Sequence, residues 1–544
     1  MNETRTARPA AESERYRSAG HWEGVTFGAY LRRWAVTRSR SVALVDGDRR
    51  WTYAELDAEA DRVARGLRGL GLGKGDRVVV QLPNCAEYVL IWFGLQRLGA
   101  VPVHAMPGHR RTEISHLVRT SRATACVTTD RHARFDHREL LREVLEDQES
   151  SGSLRHVVVV GDTGPHEDFV RFDELCEAGD GPEPLPADGG ADSGDLALLL
   201  LSGGTTGLPK LIPRTHDDYS YNARASADVC AFDPGTVYLA VLPIAFNFTL
   251  SCPGVLGTLS RGGTVVVSPD PSPQTAFALI EREGVTVTSL SPPLVPYWMD
   301  EAATGLSDIS SLAVVQVGGA RLPDDLARRL GPALGVTVQQ VFGMAEGLIN
   351  LTRLDDPEEL VCSTQGRPLS PDDEVLVVDT DGEPVPDGSP GELLTRGPYT
   401  LRGYYRAEEH NRTAFTEDGY YRTGDLVRLL PSGHLVVVGR IKDQINRGGE
   451  KIGATEVEEH LLTHPSISSA ALIGVPDERW GERSVAFVIC AGGTPSTREL
   501  ATFLRDRGLA DHKAPDEVVE VGYMPLTAVG KIDKAALARQ LPRA

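Results

Sequence analysis

The chain predicts an α/β fold: a large N-terminal domain of β-α-β sheets that includes a small β-rich subdomain, then a small α+β C-terminal domain. Three observations carry this. Apolar spacing alternates between the strand and the helix period through the first part of the chain. At 544 residues the chain is too long for one compact core. A Gly/Pro-punctuated stretch of short strands separates the first part from a final module of about a hundred residues, a plausible size for a domain.

In chain order, Thr52-Tyr-Ala-Glu55 is a capping box opening a helix whose apolar face runs Leu56, Ala60, Val63, Ala64, Leu67. Residues 78–82 read as a strand, 86–98 as a helix, 100–104 as a strand, 112–120 as a helix and 123–128 as a strand. Repeated units of this kind imply a parallel sheet covered by helices. Residues 146–153 are charged and Ser/Gly-rich and 179–194 are rich in Gly, Pro, Asp and Ala, so both read as surface connections. Strands resume at 263–268, 285–288 and 312–317, and 366–439 has the texture of a β-rich subdomain. Beyond it come a helix at 455–462, strands at 470–475 and 484–489, a helix at 497–507 and a strand at 517–521. These readings divide the chain into 1–439, a connection at 440–443, and 444–544.

Composition excludes several functions. A net charge of −20 repels nucleic acid and anionic membranes over much of the surface. The longest apolar run, beginning Tyr88-Val-Leu-Ile-Trp-Phe, is far shorter than the roughly 20 residues that span a bilayer. The N-terminus lacks an apolar leader segment, so a cytoplasmic location is expected. Cys85, Cys126, Cys176, Cys230, Cys252, Cys362 and Cys490 form no C-x-x-C pair and read as small buried hydrophobes. His460 and His464 share a helix face, but Leu461 stands where a zinc protease needs Glu.

The most informative stretch is Leu-Ser-Gly-Gly-Thr-Thr-Gly-Leu-Pro-Lys at 201–210. Ser202, Gly203, Gly204, Thr205, Thr206, Gly207 and Lys210 bring close-approaching backbone N–H groups, hydroxyls and a positive charge into one loop after a buried strand. Such parts hold a polyphosphate. Leu208-Pro209 separates Gly207 from Lys210, so this is no Walker A loop. Taken alone, a Gly/Thr-rich loop is often a tight turn.

Four more stretches join it in a fixed order: Gln339-Gln-Val-Phe-Gly-Met-Ala-Glu346, Tyr421-Arg-Thr-Gly-Asp425, Gly439-Arg-Ile-Lys-Asp443 running on to Lys451, and Gly530-Lys531-Ile. The set resembles the adenylate-forming enzymes, from about Trp22 to the end. Within them the chain is most similar to the stand-alone aryl-acid adenylating enzymes of siderophore and nonribosomal peptide assembly, through Lys210-Leu-Ile-Pro-Arg-Thr-His-Asp-Asp218, residues 395–411 and 443–451.

The resemblance implies ATP as substrate and Mg2+ as cofactor. It implies that residues 202–210 close over the β- and γ-phosphates and that Glu346 holds the magnesium ion. Asp425 meets the ribose with Arg440 nearby, and Gln340 joins the nucleotide-binding set. Gly318, Gly319 and Ala320 face the adenine edge and Phe342 stacks on it. Lys531 is the catalytic lysine, Lys442 the hinge of a mobile C-terminal domain, and Gly448 and Gly449 line a thiol channel after rotation.

By the same resemblance Phe246, Asn247, Phe248, Cys252, Gly318, Gly343 and Ile349 form the acid pocket. Asn247 cannot pair with an ammonium, which argues against α-amino acids, and its amide can bond an ortho substituent. Cys252, Ile349, Phe246 and Phe248 stand where dihydroxybenzoate enzymes carry Ser, Val, His and Tyr. A buried 3-hydroxyl left unpaired costs about 1–3 kcal/mol. A salicylate-like or hydroxy-heteroaryl acid is therefore expected ahead of 2,3-dihydroxybenzoate. The acceptor expected is a carrier protein acting in trans; an aryl-CoA ligase using coenzyme A is the alternative, and a non-catalytic nucleotide-binding relative a second.

Overall fold

A computed structural model describes residues 8–147, 152–181, 185–202, 208–448, 450–477, 479–527 and 530–541. Two large sheets dominate. The first orders Leu211–Thr215, Leu196–Leu201, Val101–His104, Arg77–Gln81, Ala125–Thr129, His156–Val160 and Val170–Arg171, parallel throughout except for the first pair. The second has nine strands, with Val42–Asp46, Thr264–Val267, Val237–Ala240, Val287–Leu290, Val314–Gly318 and Thr337–Gly343 side by side and parallel, and antiparallel strands at both edges.

Helices fill the space between and around them. The helix Ala86–Leu98 is buried on all sides, and a Cβ on its Gly94 would meet Val63 at 2.5 Å, which is how closely it packs on the helix Tyr53–Gly69. Arg97 at the end of that helix is buried and pairs with Asp57 and Asp61, which Arg32 also reaches. Burial pushes the Asp57 carboxyl up to about 6.

The expected elements are present, with ends moved by one to three residues. The helix at 86–98 matches as Ala86–Leu98, the Thr52–Glu55 capping box is formed, and the strand expected at 285–288 runs instead from Val287 to Leu290. Among the described residues the cysteines form no disulfide, and Cys126, Cys176, Cys230, Cys252 and Cys362 are buried. No helix among them is long and apolar enough to cross a membrane.

Glu374–Val378, Pro390–Arg396, Tyr421–Leu429 and Leu435–Arg440 form a four-stranded antiparallel sheet. A short turn, Ile441–Asp443, leads from it to a five-stranded sheet built on the hairpin Ile467–Asp477 and Gly481–Cys490. This last unit has its own core of Ile445, Ile452, Val457, Leu461, Leu472, Ala486, Val488, Leu500 and Leu504.

Candidate active site

Parallel strands leave their carboxyl ends open to ligands. Here the ends of strands from both large sheets, at Leu201, Gly318 and Gly343, converge on a cleft of about 1020 Å³ whose lining includes the four-stranded sheet and the C-terminal unit. Ser202, Lys210, Phe246, Asn247, Phe248, Cys252, Gly319, Gly343, Glu346, Ile349, Asp425, Arg440, Lys442 and Lys531 all line it.

The glycine- and threonine-rich loop is anchored at its base. Ser202 N–H donates to the Lys210 carbonyl at 2.9 Å, and Lys210 N–H donates to Ser202 Oγ at 3.0 Å. His116 Nε2 sits 3.0 Å from the Pro209 carbonyl. Gly203, Gly204, Thr205, Thr206 and Gly207 lie outside the described residues. Lys210 Nζ stands 5.6 Å from the Tyr404 ring centroid, a cation–π position.

Glu346 occupies a tight turn after the strand Thr337–Gly343. Its follower Gly347 has φ +133°, and a Cβ there would strike the Tyr399 carbonyl oxygen at 2.3 Å. Leu401 N–H donates to the Glu346 carbonyl at 2.7 Å, and Tyr404 Oη donates to Glu346 Oε1 at 2.8 Å. Burial raises the carboxyl above its ordinary range, with Tyr404 and Arg440 opposing. Among the described residues no group of three or more His, Cys, Asp or Glu is placed to hold a metal ion. A single buried carboxylate whose charge lacks full compensation still suits Mg2+, which takes its other ligands from phosphate and water and would neutralise charge there.

Asp425 and Arg440 are register partners on neighbouring strands, and Arg440 Nε donates to Asp425 Oδ1 at 2.7 Å. Burial raises Asp425, while the carboxylate raises Arg440. Lys531 enters from the C-terminal unit on a turn in which Thr527 N–H donates to the Lys531 carbonyl and Lys531 N–H donates to Thr527 Oγ1. Burial, then Arg440, pushes its ammonium down to about 8, against the pull of Asp425 and Glu346. Lys442 is likewise lowered by burial. Lys210, Arg440, Lys442 and Lys531 thus line the same cleft as Glu346 and Asp425, in an acidic protein.

The deep end is aromatic. Phe246 and Phe248 stand edge to face at 6.5 Å. Phe248 lies over Gly318, where a Cβ would come within 2.9 Å of its ring, so the missing side chain leaves room for the Phe248 ring that lines the cleft. Tyr219 Oη donates to Asn247 Oδ1 at 2.8 Å, and Asn247 Nδ2 lies 3.3 Å from Cys252 Sγ. Burial pushes the Cys252 thiol up to about 12, so it stays neutral. Ile349 N–H donates to Tyr399 Oη at 3.2 Å, and Gly343 leaves room for the Ile349 side chain.

Other expected site residues lie off the lining. Val341 faces the cleft, so its strand neighbours point the other way. Gln340 donates to the Val361 and Cys362 carbonyls, and Phe342 packs on the apolar side of the four-stranded sheet with Leu348, Val377 and Leu393. Gly318 and Ala320 are not lining residues either. Gly448 lies beneath Trp480, whose ring a Cβ would meet at 2.8 Å, away from the cleft; Gly449 is outside the described residues. Sequence reasoning missed Tyr404 and Tyr219. Tyr404 stands inside the stretch at 395–411 and Tyr219 directly after the stretch ending at Asp218, but no spacing rule assigns a partner to a lone tyrosine.

The AMP-binding enzyme model matches residues 31–405, and the AMP-binding enzyme C-terminal domain model matches 456–531. A 2,3-dihydroxybenzoate-AMP ligase of Bacillus subtilis is 52% identical over 97% of this chain and 96% of its own. A salicyl-AMP ligase / salicyl-S-ArCP synthetase of Mycobacterium tuberculosis is 50% identical over 98% and 94%. The apo structure of Mycobacterium smegmatis MbtA superimposes with a TM-score of 0.76 at 49% identity, covering 98% of each chain. With both family models matched and such relatives aligned along nearly its whole length, the chain belongs to the AMP-binding enzyme family.

Proposed function

We propose that this enzyme activates an aryl carboxylic acid with ATP and passes the aryl group to a thiol. The observation that carries the reading is the shared cleft. Lys531, Lys210, Glu346 and the Asp425–Arg440 pair line the same cleft as the aromatic residues Phe246 and Phe248 and the Asn247 amide. In the first step a carboxylate oxygen of the acid attacks the α-phosphorus of ATP. The bond to the bridging oxygen breaks and pyrophosphate leaves. Two anions must approach, so fixed cations at the point of contact lower the barrier. Lys531 supplies that charge between carboxylate and α-phosphate, residues 202–210 hold the β- and γ-phosphates, Asp425 receives the ribose, and Glu346 would hold Mg2+, whose charge would offset that of the phosphates.

The pocket favours a salicylate-like or hydroxy-heteroaryl acid. Asn247 offers an uncharged amide, while Cys252 and Ile349 supply no strong partner for a 3-hydroxyl. The second step moves the aryl group from AMP to the phosphopantetheine thiol of a carrier protein in trans. The unit 444–544 turns about 440–443, and Gly448 and Gly449 replace Lys531. Acid-dependent exchange of pyrophosphate into ATP, run over a panel of aryl acids, tests the first step. A maximum with salicylate or 3-hydroxypicolinate is expected, a maximum with 2,3-dihydroxybenzoate refutes the pocket argument, and no exchange with any acid refutes the reaction. Product formed with free coenzyme A in place of a carrier would assign the other acceptor.

A further inference from the structure

Arg321 follows directly on Gly319 and Ala320 but does not line the cleft. Its guanidinium reaches three places. Nη2 meets Asp324 Oδ1 at 3.0 Å, Nη1 donates to the Val437 carbonyl at 3.1 Å, and Nη1 lies 2.9 Å from Glu459 Oε1. Val437 belongs to the strand Leu435–Arg440 that runs into the turn Ile441–Asp443, and Glu459 to the helix Ala454–Leu462 of the unit that carries Lys531. The pair therefore spans the seam between the two parts of the enzyme, with both side chains largely out of solvent at 15% and 27% exposure.

We propose that Arg321 is a positioning residue for Lys531: by neutralising Glu459 at the seam, it lets the C-terminal unit dock with its lysine in the cleft. The inference rests on the reading of Lys531 as the lysine of the adenylation step. A carboxylate brought into a seam without its cation leaves a buried charge uncompensated, which opposes docking strongly. Arg321 answers that charge from the N-terminal side. It does not overcompensate. Burial still pushes Glu459 up to about 7, with Arg321 opposing and Asp324, Glu458 and Glu456 pushing the same way. Lys513 is engaged with Glu456 and Lys534 with Glu458, at 2.6 and 2.7 Å, so neither is committed to Glu459. The pair permits docking without locking it, as a seam that must open again requires.

The test compares Arg321→Met, Glu459→Gln and the double variant by pyrophosphate exchange, by thioester formation from synthetic aryl-AMP, and by thermal melting. Arg321→Met is expected to lower exchange about tenfold through the unpaired Glu459 charge, while melting and thioester formation are retained. The double variant, which removes the orphaned charge, is expected to recover to within about twofold. Arg321 opposes the upward push of burial on Glu459, so in Arg321→Met the carboxyl takes up its proton at a higher pH than in the parent enzyme, and the deficit is expected to be largest at alkaline pH and to shrink as pH falls. A double variant as impaired as the single, or a deficit independent of pH, would overturn the proposal and leave Arg321 as a local support for Asp324 and Val437. If Lys531→Ala alone leaves exchange intact, the reading of Lys531 fails instead. Energy transfer between fluorophores at the exposed Leu306 and Tyr523 then still decides the role of Arg321. A distance that changes in Arg321→Met and is restored in the double variant supports it, and no change rejects it.

Discussion

Gly530 rests on Ser291: a Cβ built on the glycine would come 3.1 Å from the serine hydroxyl, and its φ is +77°. This contact places the turn bearing Lys531 against the end of a strand of the nine-stranded sheet. Gly530→Ala combines backbone strain with a crowded contact, each worth about 1 kcal/mol. Adenylate formation should fall about tenfold or more with little change in melting temperature, because the strain is spent at a loop and a seam, away from the core. Pyrophosphate exchange and a melting curve check this together.

Lys531→Ala removes the cation between the two reacting anions. Losses for such groups are about a hundredfold to a thousandfold in rate. Exchange should fall by that amount, while thioester formation from supplied aryl-AMP is spared. Equal loss of both steps would contradict the division of labour between the two orientations of the C-terminal unit.

The acidity of Lys531 predicts the alkaline limb of the rate profile. Its protonated form is the working one, and burial lowers it from the ordinary lysine value to about 8. Activity in kcat/KM, which reports the free enzyme, should therefore decline as pH rises through about 8, well below where a solvated lysine titrates. The same limb should vanish in the residual activity of Lys531→Ala.

Tyr219 donates to Asn247 Oδ1, which turns the amide so that its Nδ2 donor lies on the Cys252 side. In Tyr219→Phe that oxygen is buried and unpaired, at about 1–3 kcal/mol. KM for an ortho-hydroxy acid should rise about fivefold to a hundredfold, with a smaller change for benzoate, in steady-state exchange assays. Cys252→Ser adds a hydroxyl partner and should improve 2,3-dihydroxybenzoate relative to salicylate.

Elements were legible where local physics decides them. The helix Ala86–Leu98 and the Thr52–Glu55 capping box needed only apolar spacing and a side chain reaching its own backbone. The phosphate loop stood out because its residue types have few other uses. The partition of parallel strands between two sheets was not legible. Val42–Asp46 sits beside Thr264–Val267, more than two hundred residues away, and nothing in a parallel strand's own pattern names its neighbour.

The sequence by itself determined the fold class, the charged loop at 202–210, the acidic and basic residues available for the chemistry, and the family they belong to. Tertiary structure alone decided which of them meet. It turned Gln340 into the sheet and toward backbone carbonyls, brought Tyr404 onto Glu346 and Tyr219 onto Asn247, and set Arg321 against Glu459 across the seam. Hydrogen bonds and ion pairs act over a few ångströms, and residues far apart in the chain come within that range only once two cores have formed and docked.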